Sequence, residues 1–179
     1  MTLITTTGLA RTIPCRDRAG IDMAIIADEL YSLLIPLESE RLVVPRSCVA
    51  EVVRYSVPDA EQEHSSWMRG RVKWNNQQIP VISFEALCGS SEPVPGRRTR
   101  VVVFNPLGGA DDCPNYGILA EGFPQMVKVN REVVVLDDGY RSPEHAPILC
   151  QINMLKERAL IPDLEAIEAR ISAELGTGT

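Results

Sequence analysis

Histidine is nearly absent from this 179-residue chain, with His64 and His145 the only two. Both fall in polar loops and read as exposed. Catalysis needs titratable groups that converge, and so sparse a supply gives the sequence no obvious acid–base pair. No Cys-x-x-Cys occurs. The five cysteines (Cys15, Cys48, Cys88, Cys113 and Cys150) are odd in number and widely spaced. They read as reduced cytosolic thiols packed as small apolar residues, which predicts a cytoplasmic protein. No flanking motif supports a Cys/His nucleophile pair. No apolar run approaches the roughly 20 residues of a membrane span. The N-terminus MTLITTTGLARTIPCRDR lacks a basic cluster followed by an apolar core, so no secretory signal is expected. Basic residues are outnumbered 18 to 24, a formal net charge of −6. That argues against nucleic acid or an anionic membrane as the main partner, and the lack of a spanning run against membrane insertion.

Other site signatures are lacking too. Asp111-Asp112 and Asp137-Asp138 are acidic pairs without the alternation of a calcium loop, and they read as solvated turns. Gly108-Gly109 lacks the lysine and downstream glycines of a phosphate loop. No cofactor and no metal are expected. Arg97-Arg98-x-Arg100 reads as a solvated loop beside a buried strand or, alternatively, as a patch for a phosphorylated or acidic partner.

What is present is a small, ordinary globular composition, 45% hydrophobic and 23% charged. The length suits one domain, or two very small subdomains. Its clearest element is a hairpin within WMRGRVKWNNQQIPVISFEAL, residues 67–87. Arg71–Trp74 and Gln77–Phe84 are rich in β-branched and aromatic residues. Asn75-Asn76 lies between them, and Asn tolerates the positive φ of a two-residue turn. Val72 and Trp74 share one face of the first arm. In the second, Ile79 and Val81 alternate with Pro80, Ile82 and Phe84. Both faces are partly apolar, as in a strand curled into a small barrel. Pro80 cannot donate to a ladder, so it belongs at an edge or a bulge. Gly70 marks a tight bend or a close backbone approach.

Around the hairpin, residues 1–28 read as an extension, and 29–175 as the domain proper. Leu30–Leu37 reads as a strand, with Leu33 and Ile35 on one face and Leu34 on the other. Leu42–Val44 pairs back, and Arg46–Tyr55 reads as a short turn leading into a strand. Residues 89–99, rich in Gly, Pro and Ser, form a break. Arg100–Asn105 is a buried-strand run, Tyr116–Glu121 is another strand, and Phe84–Leu87 is a helical turn. Met126–Val129, Val133–Leu136, Ile148–Met154 and Leu160-Ile161 continue the β pattern. Leu164, Ile167, Ile171 and Leu175 recur at helical spacing. Glu165, Glu168, Arg170 and Glu174 stand outside that stripe, and Pro162-Asp163 is the start signal. Many short strands joined by polar turns predict a mainly β, small-barrel fold.

A glycine, an alternating strand, a two-residue turn and an Ile-Pro-Val-Ile run resemble the central motif of the CheW-like family. These are adaptors that link chemoreceptors to a histidine kinase. The likeness covers about residues 30–172. It implies two SH3-like five-stranded barrels packed on a common hydrophobic core, with a C-terminal amphipathic helix. It implies a non-catalytic adaptor whose partners are a CheA-like histidine kinase regulatory domain and, as a weaker expectation, a methyl-accepting chemoreceptor. The positions matching Val49, Glu51 and Gly70 lie where the family binds kinase or receptor, and Trp74 stands where an aliphatic residue is common. Each has a plain alternative: core for Val49, solvated strand for Glu51, a backbone requirement for Gly70, and either core or interface anchor for Trp74.

One departure is local. The family's turn carries Arg-Gly, and the Arg is linked to receptor binding. Asn75-Asn76 keeps the turn and loses the charge. The Gly-rich segment common before the last strand is also absent. The resemblance so qualified implies an accessory adaptor of a system governing type IV pili and twitching motility. A stand-alone barrel that binds an extended peptide by strand addition is the alternative.

Overall fold

The computed structural model describes residues 29–59, 65–108, 113–130, 132–154 and 157–176. The expected extension at 1–28, His64 and the Asp111-Asp112 pair lie outside the described residues.

Two sheets form the body of the fold. The first has five strands: β3 (Val49–Arg54), β4 (Met68–Trp74), β5 (Gln77–Ile82), β6 (Arg100–Phe104) and β7 (Tyr116–Ala120), in the order β3-β6-β7-β5-β4. The second has six: β1 (Leu30–Pro36), β2 (Arg41–Pro45), β8 (Gln125–Val129), β9 (Val134–Leu136), β10 (Ile148–Met154) and β11 (Glu157–Pro162), in the order β8-β1-β2-β11-β10-β9. The resemblance implied five strands in each barrel; the second sheet has six, and the short edge strand β9 falls in the expected β segment Val133–Leu136. A one-turn helix, α1 (Phe84–Leu87), follows β5, and α2 (Leu164–Gly176) ends the chain.

Each sheet curls around its own apolar interior. Val72, Ile79, Val81, Val101, Val103 and Leu119 fill the first, with Ala50, Val53 and Trp74 packed against them, so all five strands contribute. Leu34, Val43, Ile152, Met154 and Ala159 fill the second, with Val127 and Val134 from the two edge strands. Alternate residues of the same strands face a third cluster between the barrels. Leu33, Ile35, Leu42, Val44, Val49, Ile82, Phe84, Val102, Phe104 and Ile118 meet there under Leu164, Ile167 and Ile171 of α2. Leu33 and Ile35 therefore face the seam while Leu34 faces the second barrel. This two-sided burial is why the strands read as apolar on both faces. Each fully buried aliphatic or aromatic side chain contributes about 1.5–3 kcal/mol. Phe104 and Tyr116 add a stacked ring pair, with centroids 5.3 Å apart. The fold is mainly β, two small barrels on a shared core with a C-terminal helix.

Two local expectations need correction. Pro80 does not sit on an edge, because β5 lies between β7 and β4. Its partner Arg71 turns both backbone groups away, to Asp59, at 2.8 and 3.1 Å. The parallel ladder to β7 begins one residue later, at Val81. No backbone N–H is asked of Pro80 by either neighbour, so it is tolerated inside the sheet. Glu168 does not stand outside α2. It is buried, and its carboxylate accepts from the Leu107 amide at 2.9 and 3.1 Å and from the Tyr116 hydroxyl at 3.5 Å. The helix start is as expected, with Asp163 accepting from the Ala166 amide at 3.0 Å.

Candidate functional site

β3 and β4 are the two edges of the first sheet, and the curl brings them face to face. The Trp74 indole Nε1 on β4 donates to Glu51 Oε2 on β3 at 2.8 Å. Trp74 is half-buried against the barrel interior, while Glu51 is exposed. Thus two of the six residues expected at a partner surface meet in a single contact.

The tip beside this contact is a tight turn. Asn75 and Asn76 have φ of 45° and 62°, the paired left-handed geometry of a hairpin whose twist matches its strands. Both are exposed, as are the following Gln77 and Gln78. The tip therefore presents amide donors and acceptors with no fixed charge.

Gly70 and Val49 are placed differently. Gly70 is buried at a β-bulge in β4, with φ of +105°. A Cβ there would lie 2.6 Å from the Asp59 carbonyl oxygen. Its role in the geometry is to let residues 58–59 lie along β4, where Asp59 and Arg71 exchange two backbone hydrogen bonds. Val49 is 4% exposed and belongs to the seam between the barrels, at the first residue of β3. Its side chain offers nothing to solvent. Glu51, Trp74, Asn75 and Asn76 are the residues the structure gathers at one surface, and Gly70 and Val49 support the strands beneath them.

The second barrel has apolar residues at its own edges. Met126 on β8 and Val135 and Leu136 on β9 are 62%, 63% and 55% exposed. Sequence reading passed over them, since single apolar residues in short strands carry no signal of exposure.

Nothing at the hairpin tip resembles a reacting centre. Burial is the main cause that raises the thiols of Cys48, Cys113 and Cys150, and it pushes Cys88 up to about 11. A thiol held protonated is a poor nucleophile. Asp137 Oδ1 accepts from the Gly139 amide at 3.0 Å, so that acidic pair forms a self-bonded turn. His145 is exposed. Among the described residues no cluster of three or more His, Cys, Asp or Glu side chains could hold a metal, and no helix is long and apolar enough to cross a membrane.

Comparison with known proteins bears on this arrangement. No curated protein matches the sequence. Among solved structures, the fold is similar to that of the scaffolding protein TtCheW from Thermoanaerobacter tengcongensis. The TM-score is 0.59 at 14% identity, covering 74% of this chain and 88% of that one. Residues 32–170 match the family model for the CheW-like domain, a span that takes in both barrels and the first half of α2. The chain belongs to the CheW-like domain family.

Proposed function

We propose that this protein is a non-catalytic scaffold of a chemosensory array, coupling a chemotaxis-type histidine kinase to methyl-accepting chemoreceptors in two-component signalling. The observation that carries the reading is the CheW-like match over residues 32–170, which includes both barrels rather than one. A coupling protein needs two docking faces, and two exposed surfaces support that reading. The first is the β3/β4 edge with the hairpin tip. The second is the β8 and β9 edges with Met126, Val135 and Leu136 exposed. Barrels that dock end to end use apolar side chains and free strand edges. The kinase regulatory domain is assigned to the first barrel, with Trp74 as the apolar anchor and Glu51 as the charge that sets register. Val49 and Gly70 act through the strands they position. The setting is cytoplasmic, where the free thiols stay reduced. No cofactor is required.

Receptor contact is the weaker arm, because Asn75-Asn76 carries no fixed charge. The same turn supports the narrower reading of an accessory adaptor serving type IV pili and twitching motility. A deletion strain with normal twitching would overturn that narrower reading.

The direct test is calorimetric titration into the regulatory domain of the cognate kinase. Wild-type protein is expected to bind saturably in the micromolar range, and Glu51→Lys to weaken binding about tenfold or more with its fold intact. Absence of wild-type binding overturns the kinase assignment. For the receptor arm, a double variant Asn75→Arg/Asn76→Gly is expected to bind the receptor tip more tightly. Equal binding by variant and wild type would remove the turn from the argument.

A further inference from the structure

The end of the first barrel gathers arginines that scaffolding leaves unused. Arg54 closes β3 and sits directly across the ladder from Arg100, the first residue of β6. Like charges placed opposite each other destabilise a sheet, and Arg97 and Arg98 stand immediately before them. In a chain of net charge −6 this is a marked local excess.

The four arginines are not equivalent. Arg100 is committed to structure. Its Nη1 donates to the carbonyl oxygens of Arg97, Arg98 and Thr99 at 3.2, 3.0 and 2.8 Å, and its guanidinium lies 4.6 Å from the centroid of the Phe123 ring. Arg98 Nη2 lies beside Gly122, outside the concavity's lining. Arg54 and Arg97 are exposed, and neither takes part in an ion pair among the described residues. Together with Tyr55, Gly96 and Thr99 they line an open concavity of about 480 Å³.

The Thr99 hydroxyl of that lining is already committed. Thr99 Oγ1 accepts from the Gly96 amide at 2.8 Å and donates to Glu121 Oε1 at 3.1 Å. Three loop carbonyls are drawn to Arg100. No carboxylate lines the concavity. Its uncommitted chemistry is two guanidinium forks beside a half-buried phenol ring.

We propose that this concavity binds a small phosphate monoester. Guanidinium groups match phosphate oxygens with paired donors, and none of the five lining residues carries a carboxylate, the Glu121 carboxylate being bonded to Thr99. The Tyr55 ring supplies a flat surface for the organic part. The volume falls within the roughly 300–1,000 Å³ of small-molecule sites. The site lies beyond the Glu51–Trp74 contact along β3, and it does not depend on the scaffold reading.

Titration of the full chain with phenyl phosphate, followed by amide NMR at constant ionic strength, tests the assignment. Parallel titrations use inorganic phosphate and phenol. The Gly96, Arg97 and Thr99 amides are expected to shift saturably with phenyl phosphate, more weakly with inorganic phosphate, and not at all with phenol. Arg54→Gln and Arg97→Gln should each weaken binding about tenfold, with the rest of the spectrum unchanged. Shifts that never saturate, or equal binding by the double variant, would overturn the site. Equal affinity for inorganic phosphate would overturn the monoester as its ligand.

Discussion

Gly70 has the strictest requirement of any residue near the candidate interface. Its φ of +105° excludes an ordinary side chain, and the atom a Cβ would strike, 2.6 Å away, is a backbone oxygen. That oxygen cannot retreat cheaply, because Asp59 is tied to Arg71 by two hydrogen bonds. Gly70→Ala is expected to cost about 2 kcal/mol or more, read as a lower urea midpoint. An unchanged midpoint would mean that the bulge relaxes freely. Glu85 makes a different kind of demand. It is buried, and its Oε1 accepts from the Glu38 amide at 2.8 Å. Burial above all, with the nearby carboxylates of Glu38 and Glu121, raises its pKa above the ordinary 4.5 despite that hydrogen bond. The folded chain therefore holds this proton more tightly than the unfolded chain does. The resulting stability is fully present below pH 4.5 and is lost as pH rises above it. Glu85→Gln keeps an acceptor for the Glu38 amide and removes the charge. The variant should be more stable than wild type at neutral pH, and the gap should close as pH falls toward 4.5. Denaturation curves at the two pH values decide it, and equal stability at neutral pH would refute the claim.

The hairpin was legible at the scale of the element because everything that specifies it is local. Two alternating arms flank a pair of asparagines, and both asparagines adopt the positive φ that the pattern predicts. The contact beside it was not legible. Glu51 and Trp74 stand out separately in the sequence, 23 positions apart, on strands at opposite ends of the sheet order. Only closure of the barrel joins them, and closure is not written in either strand. Glu168 was misread for a simpler reason. Leu164, Glu168, Ile171 and Leu175 themselves follow helical spacing, so position 168 lies on the buried stripe. Charge alone suggested solvent. The missing information was that a loop amide, Leu107 N–H, needed an acceptor there. Glu168→Ala orphans that amide and the Tyr116 hydroxyl, at an expected cost of about 2–3 kcal/mol. Glu168→Gln retains one acceptor and should recover part of the loss in the same thermal denaturation assay. A glutamine variant as unstable as the alanine variant would mean that the charge, not the hydrogen bond, matters.

At the scale of the whole molecule the two barrels are not successive beads. The strands of the first, β3 to β7, are contiguous in the chain. Those of the second come from both sides of it, β1 and β2 before and β8 to β11 after. The two halves of the second barrel meet where β11 pairs in parallel with β2, Leu160 beside Leu42. The second barrel is therefore complete only after the first has been synthesised and its ends brought together. The largest apolar cluster lies between the barrels and draws on both, and α2 seals it with Leu164, Ile167 and Ile171. Neither barrel can unfold without exposing that seam on the other, so one cooperative transition is expected. The side chains supply separate reporters. Trp67 packs on the seam and Trp74 on the first barrel's interior, while Cys150 packs on the interior of the second. Tryptophan fluorescence and Cys150 thiol exposure, followed through urea unfolding in a variant retaining only that cysteine, should give the same midpoint. An earlier midpoint for Cys150 would mean that the second barrel opens alone, and that the seam couples the two barrels less tightly than its burial implies.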